Sequence, residues 1–222
     1  MKRLINISNF LLVALFLCSS MSGCNRYPPV SGAIFCETFI TSYIFPDKIH
    51  LRYGDGCIPF YVGGSSAVTS GEIFDRLSQY YNDLSYNKWV VNGPNKAILG
   101  EIKSIQLETI EAFDEHHPAG SDMSDLVELQ YISYYEFVQN GYQEEGSKIK
   151  EDYTDMSPYF YVDGAKIYKV KLSEVNYSDM QLISTDFVLK FLGSPKEKGV
   201  YHFKLTFQVE YSASETLVEY EF

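Results

Sequence analysis

The chain has 222 residues and carries 29 acidic against 18 basic side chains, a formal net charge of −11. A surface this acidic is repelled by phosphate backbones, which excludes nucleic acid as an expected partner, and it gives no electrostatic attraction to anionic lipid. Apolar residues make up 45% of the chain, with 19 Tyr and 15 Phe, which suits one sizeable core rich in strand-favouring side chains.

The N-terminus reads as an export signal. Lys2 and Arg3 form a short basic start, residues 10–18 are an unbroken apolar run, and small and polar residues lead to Gly23-Cys24. The run is well below the ~18–20 residues needed to span a bilayer. Met21-Ser22-Gly23-Cys24 resembles the lipobox of bacterial lipoproteins, departing from it at Met21, where Leu is usual. That resemblance implies removal of residues 1–23 and lipidation of Cys24; Pro28-Pro29 and Gly32 then make 24–33 read as a tether, and the remaining 34–222 as a single domain. By the same resemblance, Asn25 directly after Cys24 favours the outer membrane, and the lack of an acidic run there favours its periplasmic face. Loss of Lys2 and Arg3 leaves 16 basic against 29 acidic residues, or −13, so membrane residence would rest on the acyl chains.

With Cys18 removed and Cys24 lipidated, Cys36 and Cys57 remain, an even number in an oxidising compartment. A disulfide between them is expected, closing a loop of about 20 residues for roughly 3 kcal/mol. The competing reading is two buried thiols on neighbouring strands.

In chain order, strands are predicted over 36–45, 48–53 and 58–62, with Gly54-Asp55-Gly56 and Gly63-Gly64 as turn punctuation. A helix is predicted over 71–84, where Ile73, Phe74, Leu77, Tyr80, Tyr81 and Leu84 recur at helical spacing and Thr69 and Glu72 have capping-box spacing. Strands over 97–109 and 126–135 follow, with a helical turn near 121–126 between them and Ser121 as its cap. Residues 139–155 are charged and weakly patterned, a surface loop, and 166–175 is another strand. Phe187, Leu189 and Phe191 alternate across Val188 and Lys190. Tyr201, Phe203, Leu205, Phe207, Val209 and Tyr211 then alternate strictly with polar residues, Ser212–Glu215 is read as a turn, and Val218, Tyr220 and Phe222 alternate again. Three successive antiparallel strands with one wet face suit an antiparallel β-sandwich with one or two short helices, an immunoglobulin-like arrangement being one elaborated version.

Residues 105–126, with Phe113-Asp114 ending a strand and His117-Pro118-Ala119-Gly120-Ser121 following, resemble a segment of uncharacterised cell-envelope lipoproteins of gut Bacteroidetes. The strand 186–191, its Pro turn and the long alternating strand after it are similar to their C-terminal halves. The resemblance implies an envelope location and a β-rich fold, and no activity.

No catalytic motif is present: there is no G-x-S-x-G elbow, no phosphate-binding Gly-Lys-Ser/Thr after Gly63-Gly64, and no H-E-x-x-H. His116 and His117 lie beside Asp114 and Glu115, yet adjacent side chains in extended chain point apart, so no metal site and no cofactor are expected. The leading expectation is a non-catalytic envelope lipoprotein, held to the membrane at Cys24, that binds a protein or glycan partner. The alternatives are a glycan or peptidoglycan hydrolase, which needs two close carboxylates, and a fimbria-like structural subunit.

Overall fold

The computed structural model describes residues 31–52, 54, 56–91, 95–143 and 166–222. The expected signal peptide, Cys24, most of the tether and most of the 139–155 loop lie outside the described residues.

The fold is a β-sandwich. One sheet contains the C-terminal hairpin foreseen from period two: β12 (Val200–Val209) pairs antiparallel with β13 (Ser212–Glu221) along its whole length. On its other edge β12 pairs with β8 (Ile102–Thr109), not with the strand before it in sequence. The facing sheet is built around β11 (Ile183–Phe191) and β9 (Val127–Ser133), with β10 (Lys166–Lys171) outside β9. Beyond β11 this sheet forks. Residues 186–189 pair with β4 (Ile58–Gly63), which carries β3 (Lys48–Leu51), while Ser184 pairs with Ala97 of β7 (Asn95–Ile98). β7 continues to β2 (Ile40–Ile44) and β5 (Ala67–Val68), and β2–β7 is a parallel pair in an otherwise antiparallel architecture.

Two cores share the larger sheet. Between the sheets, Phe60, Leu129, Phe187 and Leu189 meet Leu107, Phe203, Leu205 and Phe207, all at most 1% exposed. Phe187 lies 5.2 Å from Phe60 and 5.3 Å from Phe207, ring centre to ring centre. Burying each such side chain contributes about 1.5–3 kcal/mol. On the outer face Val188 and Ile132 meet Phe39, Ile40, Tyr43, Tyr134 and Phe137, with α1 (Glu72–Tyr80) and α2 (Tyr135–Gln139) covering that side. β9 and β11 are therefore buried on both faces, and the wet face expected across Val188 does not exist.

Five local expectations are corrected. The strand predicted over 36–45 is two strands, β1 (Ile34–Cys36) and β2, broken at Thr38-Phe39. There the buried Asp83 carboxylate accepts the N–H groups of Phe39 at 2.7 Å and Ile40 at 2.8 Å. The span 97–109 is also two strands, β7 and β8, because Gly100 at φ 91° turns the chain from one sheet into the other. The final hairpin turns at Glu210-Tyr211, since Val209 pairs with Ser212, and 212–215 belongs to β13. α1 begins at Gly71, φ 86°, with no side-chain cap, so Thr69 and Glu72 form no capping box. The helical turn foreseen near 121–126 is a short 3-10 turn, Ser124–Leu126, with Asp122 rather than Ser121 accepting the Ser124 N–H at 3.2 Å.

Cys36 and Cys57 keep their thiols and are not joined, in place of the expected bridge. Cys36 sits on β1, whose partner is β6 (Lys88–Val90) in a separate two-stranded ribbon, whereas Cys57 precedes β4 in the large sheet and packs on the outer core. Cys36 acts as a small apolar residue, and burial pushes its thiol above its ordinary pKa.

Candidate functional site

Where the chain crosses from β7 to β8, the two sheets part and leave a groove of about 640 Å³. Its lining comes from five segments distant in sequence: Phe45 just beyond β2, the crossing itself (Leu99, Gly100, Glu101), α1 (Ile73, Arg76, Leu77, Tyr80), the stretch entering β11 (Tyr177, Gln181, Leu182) and the β12–β13 turn (Glu210, Tyr211).

Each segment is held by specific contacts. The Glu210 N–H donates to the Glu101 carbonyl at 3.0 Å, binding the hairpin turn to the crossing. Tyr211 then lies over Gly100 so closely that a Cβ there would stand 3.1 Å from its ring. The Tyr177 hydroxyl accepts the Ile105 N–H at 3.0 Å and donates to the Ile105 carbonyl at 3.1 Å, fixing a 3-10 turn (Tyr177–Asp179) over β8. The Tyr134 N–H donates to the Leu182 carbonyl at 3.0 Å, and the Ser133 hydroxyl donates to the Gln181 carbonyl at 2.8 Å. On α1, Tyr80 and Tyr81 meet edge to face at 4.9 Å.

The rim is aromatic and electrically mixed. Tyr80 is 74% exposed and Tyr211 62% exposed, large rings left in water on two different segments. Beside them lie Arg76, Lys103, Glu101 and Glu210, two positive and two negative charges. Lys103 and Glu101 form an ion pair, and that hydrogen bond raises the Lys103 pKa. Tyr211 is raised too, first by its hydrogen bond to Glu210, with Arg76 across the groove pulling the other way. Tyr81 is deeper, and burial pushes its phenol up to about 12. Apolar depth with a few convergent polar groups at the rim is the usual make-up of a ligand site.

Other charged clusters are structural ties. Asp114 accepts the N–H groups of His116 at 2.7 Å and His117 at 2.8 Å, and its Oδ1 also meets His117 Nδ1 at 2.8 Å. The other ring nitrogen of His117 meets Asp125 at 3.1 Å, so the imidazole spans two carboxylates. Arg52 pairs with Asp186 at 2.9 Å and lies over the Tyr61 ring, which stacks on His50. Among the described residues, no three His, Cys, Asp or Glu side chains are grouped to hold a metal ion.

None of the groove residues was singled out from sequence. Tyr211 read as a strand residue, because the alternation continues through it into the turn. No protein-family model matches the chain, and no curated protein or solved structure is significantly similar to it.

Proposed function

We propose that the protein is a non-catalytic envelope lipoprotein, anchored through acyl chains on Cys24 at the periplasmic face of the outer membrane, whose groove binds a neutral glycan chain. The observation that carries the binding reading is the pair of water-exposed rings, Tyr80 and Tyr211, on separate segments of one groove. A Tyr ring offers a flat apolar face at little cost in side-chain entropy and keeps a hydroxyl for hydrogen bonding. Sugar rings present C–H faces that stack on such platforms, and Arg76, Gln181, Glu101 and Glu210 supply donors and acceptors for their hydroxyls. Two positive and two negative side chains cancel, which favours an uncharged polymer over an anionic or cationic one.

Hydrolysis is the second reading, because Glu101 and Glu210 share the rim. A general acid must keep its proton near neutral pH, which takes burial. The Glu101 side chain is 75% exposed and paired with Lys103, so the arrangement favours holding a glycan over cleaving it.

The test is calorimetric titration with neutral cello-, xylo-, manno- and chito-oligosaccharides. At least one series is expected to bind, with Tyr80→Ala and Tyr211→Ala each weakening it about tenfold, the equivalent of ~1.4 kcal/mol. Binding unchanged in both variants, or no binding in any series, would discard the glycan. Radiolabelled palmitate incorporation tests the anchor: it is expected in wild type and lost in Cys24→Ala.

A further inference from the structure

β1 and β6 form a two-stranded ribbon that pairs with neither of the larger sheets. Its register, Ile34 with Val90 and Phe35 with Trp89, puts Phe35 and Trp89 on one face and Ile34 and Val90 on the other. Both faces are apolar at the end where the chain enters. Ile34 is 54% exposed, Phe35 39% and the following Val91 59%, while Phe35 and Trp89 meet edge to face at 5.4 Å. Residues 34–36 and 88–91 include one charge, Lys88, and no acid, in a chain with 29 acids. Cys36 is buried and Trp89 and Val90 are half-buried, but the exposed entry end of so small a ribbon calls for something against its apolar side chains.

We infer that this ribbon rests in the interfacial layer of the membrane to which Cys24 is anchored, with Trp89, Phe35, Ile34 and Val91 among the upper acyl chains and Lys88 at the phosphates. The inference rests on the anchor proposed above. Its occupant is fixed by chain length: ten residues from Cys24 to Ile34 reach at most about 35 Å, so the ribbon is the described part of the domain nearest the lipid along the chain. A site held that close meets the bilayer at high effective concentration, so weak intrinsic affinity is enough. The composition matches, since Trp prefers the membrane–water boundary and a Lys stem lies along apolar surface while its ammonium reaches water. The entry end of the ribbon carries no acid, the exposed Glu37 following only beyond Cys36, which limits repulsion at an anionic leaflet.

Trp89 is the only tryptophan, so its fluorescence reports on the ribbon alone. The full lipidated protein is reconstituted in phosphatidylcholine–phosphatidylglycerol vesicles with acyl chains brominated near the ester end. A blue shift and a loss of Trp89 emission relative to unbrominated vesicles are expected. Phe35→Asp, with its circular dichroism unchanged, should restore the emission while still floating with vesicles. Wild type that floats and is not quenched would overturn the ribbon's insertion and leave the anchor standing. Wild type that does not float would remove the anchor and the inference together. Trp89 shielded from aqueous iodide but untouched by brominated lipid would mean that a protein covers the ribbon, and would overturn the inference as well.

Discussion

Asp83 accepts the backbone N–H of Ile40 at 2.8 Å from a position with no solvent exposure. Its other oxygen takes the Phe39 N–H at 2.7 Å and the Tyr142 hydroxyl at 2.9 Å. One side chain just beyond α1 thus satisfies the strand break between β1 and β2 and ties the end of α2 to it. Burial raises the Asp83 pKa, and the three donors oppose that rise.

Asp83→Asn keeps the size but not the chemistry. An amide oxygen can serve one of the two N–H groups, while the amide nitrogen faces the other donor. One buried N–H is left without an acceptor, at a cost of about 1–3 kcal/mol. Asp83→Ala should cost more, since it strands both amides and the Tyr142 hydroxyl. Urea denaturation followed by circular dichroism measures both; a midpoint within error of wild type for Asp83→Asn would show that the latch contributes nothing.

His117 predicts a pH dependence. Burial alone would lower its pKa, but hydrogen bonds to Asp114 and Asp125 and their charges outweigh it and raise it above the ordinary 6.5. With a carboxylate at each ring nitrogen, both nitrogens must carry protons. The stabilisation is complete below the ordinary imidazole value and is lost as pH rises through the raised folded-state value. The Asp114 pKa is lowered despite burial, by its bonds to the two histidines, so its share is present above its ordinary 3.8 and is lost as pH falls through the lowered value. The loop this holds carries Phe113, which is 2% exposed and packed on Phe191 and Phe222. Between about pH 5 and about pH 8, wild type should lose stability and His117→Gln should lose less. Parallel curves for the two proteins would assign the titration to another group.

The sandwich was legible because β12 has one wet face: Phe203, Leu205, Phe207 and Val209 are buried while His202 and Gln208 are exposed, so period two shows in the residues themselves. β9 is expected from sequence as a strand over 126–135, but its burial on both faces is not. Val127, Leu129 and Tyr131 face one core and Ile132 the other, and burial on both faces erases alternation. Tyr211 sits on the polar–apolar alternation and yet in the turn, because only the pairing of Val209 with Ser212 decides where a hairpin reverses. The groove was invisible for a different reason. Tyr80, Glu101, Gln181 and Tyr211 are brought together by the crossing at Gly100, and no local spacing encodes that juxtaposition.

The cysteines give a chemical check on topology. With Cys36 on the ribbon and Cys57 ahead of β4, each peptide from denatured protein should take one alkyl group without prior reduction. Cys36 should react slowly in the folded state, being buried with its thiolate disfavoured. Recovery of a linked Cys36–Cys57 peptide would overturn the free-thiol arrangement.

Gly100→Ala tests the crossing and the groove together. At φ 91° an L side chain is strained by roughly 1–3 kcal/mol. The new Cβ would also stand 3.1 Å and 3.3 Å from two carbons of the Tyr211 ring. The strain belongs to the backbone and persists whatever occupies position 211, whereas the contact vanishes if the ring does. A cycle of Gly100→Ala, Tyr211→Ala and the double variant separates them. The loss caused by Gly100→Ala should be smaller in the Tyr211→Ala background, by about 0.5 kcal/mol or more, with the remainder being the backbone share. Equal losses in both backgrounds would mean that the ring swings aside at no cost, and that Gly100 is required by the turn between the sheets alone.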